Sequence, residues 1–183
     1  MSNLIKVIAL FGESGSGKDT IQKKLMEAPM DGKKLHEIIS CTTRPPRDYE
    51  VDGVDYHFLS EVDFAYKVLD GSMLEATSFR EWFYGTPIES LDKEAINIGA
   101  FNVEGIEALL EDSRLDVIPV KIVVDEKERL FRILNREKNP NCSEVCRRFL
   151  ADEKDFCNIQ FSFLTFDNNS KELDVSYFKN IIG

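Results

Sequence analysis

The feature that most constrains the fold lies near the N-terminus, where an apolar run leads directly into a glycine-rich loop. Residues 4–11 are almost continuously apolar and rich in branched side chains, which is typical of a strand buried on both faces. The loop 12–17 contains three glycines, and a polar–apolar segment then continues to about Ala28, ahead of Pro29 and Gly32. This order predicts a strand, a tight loop and a helix.

Strand and helix patterns alternate along the rest of the chain. We predict further strands at residues 37–41, 73–79, 82–84, 95–101, 117–124 and 161–166. We predict helices at residues 60–69 behind a capping box, from Thr86-Pro87 onward, after residue 101, and at 126–136, 143–158 and 171–182. The Pro-, Arg- and Asp-rich segment 42–53 is expected to form an ordered loop. Since the chain has 183 residues, this alternation predicts one α/β domain with a doubly wound parallel sheet.

Composition and charge restrict the class of ligand. Hydrophobic residues make up 43% and charged residues 31% of the chain, which supplies a core and excludes a disordered protein. Lys and Arg number 23 against 33 Asp and Glu, so the net charge is −10. A chain this acidic has no general attraction to nucleic acid or to anionic membranes. An anionic ligand therefore needs a local cluster of cations.

Neither a membrane segment nor a secretion signal is predicted. No apolar run approaches the roughly 20 residues needed to span a bilayer, and residues 4–11 end in the glycine-rich loop without a cleavage site. The cysteines at 41, 142, 146 and 157 are expected to be free, buried thiols in a reducing cytosol. Cys142 and Cys146 have no third soft ligand nearby, so no metal site is predicted there.

The glycine-rich loop fits a phosphate-binding loop through its lysine. Glycines let backbone N–H groups converge on phosphate oxygens, the helix start adds a partial positive charge, and Lys18 can reach the β and γ phosphates of a nucleoside triphosphate. Asp19 stands where a Ser or Thr hydroxyl normally binds Mg²⁺. The predicted triphosphate site consists of Gly12, Ser14, Gly15, Ser16, Gly17, Lys18, Asp19 and Thr20.

A second cluster lies on the proline-rich loop. Arg44 and Arg47 flank two prolines and form a stiff fork that can hold a phosphate, to which Ser40 and Tyr56 can add hydroxyl donors. Such a stretch taken alone is an ordinary solvated loop. Its place beside a phosphate loop in an acidic protein favours an anion site instead.

These motifs together resemble those of the guanylate kinases. The chain contains Gly-x-Ser-Gly-x-Gly-Lys, Ser-x-Thr-Thr-Arg-x-Pro-Arg, Glu50–Tyr56 and Phe83-Tyr84-Gly85-Thr86 in the order and spacing of that family. The resemblance extends over residues 5–182, and the segment 40–58 is its most diagnostic part.

The resemblance implies a P-loop NTPase-like fold with three parts. The core would comprise residues 1–36 and 92–183, a small α/β insert at about 37–91 would bind the monophosphate, and a short lid at about 136–143 would close over ATP. The implied reaction is ATP- and Mg²⁺-dependent phosphorylation of a nucleoside monophosphate, with GMP or dGMP preferred.

The resemblance also implies the roles of single residues. The monophosphate site would consist of Ser40, Arg44, Arg47, Glu50, Tyr56 and Tyr84. Glu75 matches the carboxylate that reads guanine, and Thr86 matches a hydroxyl that donates to guanine O6. A carboxylate can accept from the adjacent N1–H and N2–H₂ donors of guanine, whereas adenine presents an acceptor at N1. Without the resemblance, Glu75 would be taken for an ordinary solvent-facing acid.

Arginines on either side of the lid form the third cluster. Arg132 and Arg136 are four residues apart and share a helix face. With Arg148 they resemble the lid arginines that stabilise the transferring phosphoryl group, although Arg147 could replace Arg148 and all could simply be solvated. Asn168 or Asn169, near the last strand, resembles a family residue that contacts adenine.

Three residues depart from the family pattern. Ala100 and Asn102 replace two aspartates, of which the first would lie near the metal and the second near the guanine amino group. Asn102 can still accept one hydrogen bond. We predict that Asp19 supplies the charge that Ala100 lacks, as a direct Mg²⁺ ligand or through water. The alternative is that Asp19 only stabilises the helix start through the helix dipole.

Two other functions stay open at this point. A kinase with a different base preference would use the same phosphate ligands, and a guanylate-kinase-like binding module would have no turnover. Lys18 and the lid arginines argue against the binding module, because it needs no triphosphate site. The expected partners are the nucleotides ATP and GMP or dGMP, without nucleic acid or membrane, and the expected state is a cytoplasmic monomer or weak dimer.

Overall fold

A computed structural model describes residues 4–47, 50–79, 81–136, 140–170 and 172–183, with the side chains of these ranges except those of residues 79, 144 and 148. The strands are β1 (Ile5–Phe11), β2 (Leu35–Glu37), β3 (Cys41–Thr42), β4 (His57–Phe58), β5 (Met73–Phe79), β6 (Trp82–Pro87), β7 (Ile96–Ala100), β8 (Leu115–Val123) and β9 (Leu164–Asp167). The helices are α1 (Lys18–Glu27), α2 (Glu61–Leu69), α3 (Val103–Glu111), α4 (Glu126–Asn135), α5 (Cys142–Asp155) and α6 (Val175–Ile182).

A five-stranded sheet in the order β2-β7-β1-β8-β9 forms the centre of the molecule. All its pairings are parallel, and β1 is buried from Val7 to Phe11. Side chains alternate across a strand, so Ile8 and Leu10 join one apolar cluster with α1 and α6, while Val7 and Phe11 join another with α3. The predicted doubly wound α/β fold is confirmed.

A second sheet, in the order β4-β3-β6-β5, lies within the part of the chain predicted as the insert. Strands β5 and β6 form an antiparallel pair in which Glu75 is opposite Thr86. Helix α2 begins as predicted, since the Ser60 hydroxyl accepts a hydrogen bond from the Asp63 N–H at 3.1 Å. This sheet therefore places Glu75 and Thr86 side by side.

Two predicted elements were wrong. The segment 37–41 is not one strand, because β2 ends at Glu37 in the central sheet and β3 begins at Cys41 in the second sheet. No helix starts at Thr86 and Pro87, which still belong to β6; the Ile88 N–H donates to the Ser72 carbonyl at 2.8 Å, and only a 3₁₀ turn at Ile88–Ser90 follows.

The cysteines were predicted only in part. All four are free, but only Cys41 is buried, whereas Cys142, Cys146 and Cys157 are exposed. Cys142 and Cys146 are four residues apart on α5 and so share a face, while Val145 turns into the protein. In the described ranges, no helix is both long enough and apolar enough to cross a membrane.

Candidate active site

The glycine-rich loop packs directly against the central sheet and against α4. A Cβ atom on Gly12 would lie 2.5 Å from the Ile122 carbonyl oxygen, and one on Gly15 would lie 2.7 Å from the Arg129 carbonyl oxygen. Both glycines also have positive φ angles, 151° and 81°. A side chain at either position would clash with these carbonyl oxygens, so the two glycines allow the loop to pack this closely against β8 and α4.

The loop ends at the positive end of α1, close to Lys18. The Lys18 ammonium group donates to the Gly12 carbonyl at 3.4 Å and so lies across the loop. The Ser16 hydroxyl is buried and has no hydrogen-bond partner within the described part of the chain. A helix start, a lysine and the buried Ser16 hydroxyl thus lie together at this loop, which is the chemistry of a phosphate site.

Asn168 and Arg132, two residues predicted to lie on the ATP side, are held beside the phosphate loop. Asn168 donates to the Ser16 carbonyl at 2.8 Å, and Arg132 donates to the Asn168 carbonyl at 2.9 Å. Asn169 instead accepts from the Asp125 N–H at 3.0 Å. Arg132 also pairs with Glu128 at 3.0 Å. Of the two asparagines, it is Asn168 that the fold brings to the phosphate loop.

The predicted arginine fork forms around a carboxylate. Glu50 Oε1 accepts from Arg44 at 2.9 Å and from Arg47 at 3.0 Å, and Glu50 Oε2 accepts from the Arg47 N–H at 2.8 Å. Burial raises the pKa of the Glu50 carboxyl, but these hydrogen bonds outweigh it and hold the pKa below its ordinary value. Glu50 therefore stays ionised and keeps both guanidinium groups in place.

Aromatic rings complete this part of the site. The Arg44 guanidinium carbon lies 5.6 Å from the centroid of the Tyr56 ring, which is 6.1 Å from the ring of Tyr84. Burial raises the pKa of the Tyr56 phenol, so its hydroxyl remains a donor. The structure thus brings together the predicted monophosphate residues on the proline-rich loop, on the segment that follows it and on β6.

A short chain of hydrogen bonds crosses the second sheet. The Thr86 hydroxyl donates to Glu75 Oε1 at 2.6 Å and lies 3.2 Å from the Ser40 hydroxyl. Glu75 is only 7% exposed. Burial raises the pKa of its carboxyl to about 7, although the Thr86 hydrogen bond acts in the opposite direction. Glu75 is not the solvent-facing acid that its sequence context alone indicates.

Asn102 lies beside Glu75 at the start of α3. Its side-chain oxygen accepts from the Gly105 N–H at 2.7 Å, which caps the helix, and its amide group donates to Thr77 at 2.8 Å. A Cβ atom on Gly105 would lie 3.2 Å from Glu75 Oε2. The first turn of α3 therefore closes directly over the carboxylate.

A cavity of about 390 Å³ lies between the start of α1 and the predicted monophosphate residues. Asp19 and Thr20 line it from α1, Arg47, Glu50 and Tyr56 from the insert, and Arg136 from the end of α4. Its volume is in the ordinary range for small-molecule sites. Arg148 belongs to α5, but its side chain lies outside the described residues, as do residues 137–139 of the predicted lid.

Several cavity residues were missed from the sequence. Glu37, at the carboxyl end of β2, accepts from Gln22 at 3.0 Å, and Lys23 on α1 pairs with Asp55 of the insert at 2.8 Å. Glu37 was missed because the strand was predicted at 37–41, which puts this residue at the start of a strand, whereas ligands of parallel sheets bind at the carboxyl ends. The Lys23–Asp55 pair has no local signal in the sequence, since it forms only because the predicted insert packs against α1.

Acidic side chains line the same cavity near the start of α1. Asp19 is exposed and lines the cavity together with Ala100 and Glu37. Among the described residues, no three His, Cys, Asp or Glu side chains come close enough to hold a metal by themselves. The carboxylates of Asp19 and Glu37 on the cavity wall are the kind of ligand that holds Mg²⁺ together with waters and substrate phosphates.

The chain is similar to known proteins along nearly its whole length. The family model described as guanylate kinase matches residues 5–182. A guanylate kinase of Helicobacter pylori strain J99 is 32% identical over 190 residues, covering 100% of this chain and 90% of that protein. One from Latilactobacillus sakei subsp. sakei strain 23K is 38% identical over 93 residues, or 51% of this chain and 45% of that protein. The crystal structure of guanylate kinase from Anaplasma phagocytophilum has the same fold, with a TM-score of 0.73 at 20% identity over 100% of this chain and 86% of that one.

The buried carboxyl of Glu75 yields a prediction about stability. Its pKa rises from 4.5 in the unfolded chain to about 7 in the folded protein, so folding stability falls as the pH rises through this interval. Glu75→Gln keeps the acceptor for Thr86 and removes the buried charge. We expect the variant to be more stable than the wild type by about 3 kcal/mol at pH 8 and equally stable at pH 4.

Urea unfolding at both pH values measures this difference. Glu89→Gln, which neutralises an exposed acid of the same sheet region, is the matched control. A gain that is the same at pH 4 and pH 8 would contradict the assignment of the raised pKa.

Proposed function

Because this chain belongs to the guanylate kinase family, we propose that it transfers the γ-phosphoryl group of ATP to GMP. The observation that carries this proposal is the shared cavity, into which both the start of α1 and the Arg47–Glu50–Tyr56 group project. A donor phosphate on the loop and an acceptor phosphate at the arginines would face each other across it.

The reaction requires positioning and charge neutralisation more than acid–base chemistry. The acceptor phosphate is already an anion, so no side chain has to become a nucleophile. Lys18, lying across the loop, and Arg132, held against it, are the cations on the donor side. Arg44 and Arg47, fixed by Glu50, are the cations on the acceptor side. Arg136 lines the cavity between the two groups.

Guanine selection follows from the buried Glu75. Its ionised form can accept from both guanine donors, N1–H and N2–H₂, and the Thr86 hydroxyl beside it can turn to donate to guanine O6. The site would reject adenine, because the N1 acceptor of adenine would face a buried carboxylate. Asn102 contributes less, since its oxygen already caps α3.

The proposal includes Mg²⁺, bound together with ATP. The metal would neutralise charge on the β and γ phosphates. Asp19 is the residue of this chain that would hold it, directly or through water, with Glu37 at the end of β2 as a further carboxylate on the cavity wall. Use of dGMP beside GMP, a monomeric or weakly dimeric state and a cytosolic location stay predictions from the sequence.

The first kinetic prediction separates binding from chemistry. Wild-type protein should release ADP in the presence of GMP. Arg44→Ala removes a fixed donor and should raise the KM for GMP at least tenfold, with a smaller effect on kcat. Lys18→Ala should instead reduce kcat by about 10²–10³-fold, because it removes charge that stabilises the transition state.

Coupled assays of ADP release against the common ribo- and deoxyribonucleoside monophosphates measure both effects. Lys33→Ala, at an exposed lysine after α1 that does not line the cavity, is the control for Lys18→Ala. The assignment fails if Arg44→Ala leaves the KM for GMP unchanged. The kinase proposal itself fails if no monophosphate stimulates ADP release by the folded wild type.

A second kinetic prediction concerns base choice. At pH 8, Glu75→Gln should reduce the ratio of kcat/KM for GMP over AMP about 5–150-fold, which corresponds to the loss of one buried hydrogen-bond partner at about 1–3 kcal/mol. Asn102→Ala should reduce the same ratio less. The reverse ranking, with both variants folded, would mean that the base pocket has been placed wrongly.

A third kinetic prediction concerns the metal. Asp19→Ser should weaken the apparent Mg²⁺ affinity in the assay several-fold, and the Asp19→Ser/Ala100→Asp variant should recover much of it. Binding of Mn²⁺ in the presence of ATP, followed by electron paramagnetic resonance, gives a readout that does not depend on turnover. An unchanged metal dependence in Asp19→Ser would leave only the helix-dipole role for this residue.

A further inference from the structure

A cluster of four charged residues lies behind the phosphate loop, away from the cavity. This loop-support cluster consists of Glu13, Lys121 of β8, Arg129 of α4 and Asp152 of α5. Glu13 lies 3.3 Å from the Lys121 ammonium group and 3.7 Å from the Arg129 guanidinium group. Arg129 in turn lies 3.9 Å from Asp152. Two acids and two bases balance, so the cluster adds no net charge beside the loop.

Asp152 makes the direct contact with the loop. Its Oδ2 accepts from the Ser14 backbone N–H at 2.7 Å, and its Oδ1 accepts from the Ser14 hydroxyl at 3.3 Å. Asp152 is 2% exposed and does not line the 390 Å³ cavity. The carboxylate therefore contacts the loop from the side of α4 and α5, outside the cavity.

Arg129 connects this contact to both helices that flank the predicted lid. Its guanidinium carbon lies 4.5 Å from the centroid of the Phe149 ring on α5. The Arg129 carbonyl oxygen is also the atom that a Cβ on Gly15 would contact at 2.7 Å. The side chain is 7% exposed, and its Nε and Nη2 atoms have no hydrogen-bond partner in the described ranges. The carboxylates of Glu13 and Asp152 lie close enough to its guanidinium group to compensate the buried charge.

From these contacts we propose that Asp152 is a positioning residue for ATP, which holds the phosphate loop at Ser14 and joins it to α4 and α5. The inference rests on the proposed function, since it assigns the triphosphate to this loop. Removing the acceptor frees the Ser14 N–H, so the loop loses its preferred conformation and ATP binds more weakly. GMP binding, which depends on Arg44, Glu50 and Glu75, is unaffected.

The experiment compares two replacements of Asp152. Arg129→Leu/Asp152→Leu removes both buried charges together, a change that folded proteins often tolerate, and leaves Ser14 without its acceptor. Asp152→Asn keeps the shape and one acceptor oxygen. Glu153→Gln, at an exposed neighbour on α5, is the control. Calorimetry measures the Kd of a non-hydrolysable ATP analogue and of GMP, and kinetics measure both KM values.

We expect the double variant to bind the ATP analogue at least tenfold more weakly with GMP affinity within twofold of wild type. Asp152→Asn and the control should stay within threefold for both ligands. The proposal is overturned if the double variant keeps wild-type affinity for the analogue, binds it more tightly, or loses both ligands equally. It is also overturned if Asp152→Asn loses as much as the double variant.

If the double variant does not fold, hydrogen exchange of the wild-type protein tests the contact between Asp152 and the Ser14 amide. The Ser14 amide should be protected without any nucleotide, and free exchange at that amide would overturn the proposal. Failure of the wild type to phosphorylate GMP would instead refute the proposed function, while the binding of the ATP analogue and the exchange of this amide would still test Asp152.

Discussion

The close approach of the glycine-rich loop to its neighbours is the constraint on which the rest of the site depends. With 2.5 Å between a Cβ on Gly12 and the Ile122 carbonyl oxygen, no side chain fits between the loop and β8. The loop therefore lies directly against the carboxyl-terminal part of β8. That position aims α1 at the cavity, lays Lys18 across the loop, and brings Asn168 and Arg132 to the Ser16 carbonyl.

An acidic protein that binds anions needs cations concentrated at the binding site. Here several cations around the site are paired with carboxylates of the protein: Arg44 and Arg47 with Glu50, Lys23 with Asp55, and Arg132 with Glu128. Such pairing fixes the geometry of the donors and lowers the local repulsion among them. It also means that an incoming phosphate finds preorganised donors and need not order flexible side chains, which reduces the entropic cost of binding.

Local signals account for what the sequence predicts well. The apolar run of β1, the glycines after it and the Ser60 cap each act within a few residues, and all three are found where expected. The predicted helix at Thr86 failed because a cap and a proline also suit the end of a strand, and the contact with Ser72 that extends the strand is not local. Glu37 and Asp152 could be recognised as site residues only from the structure. Glu37 contacts Gln22 of α1 and Asp152 contacts Ser14 of the phosphate loop, and neither partner is a neighbour in the sequence. The raised pKa of Glu75 likewise depends on α3 closing over it.

The buried position of Glu75 has a calorimetric consequence. Near neutral pH its carboxyl is partly protonated while the pocket holds no base, because its pKa is about 7. Guanine presents two N–H donors and so selects the carboxylate, which means that the proton must leave as the base enters. The observed heat of GMP binding then contains the heat with which the buffer takes up that proton. Titrations in phosphate and in Tris would give different enthalpies for the same complex, and the difference would count the protons that Glu75 releases.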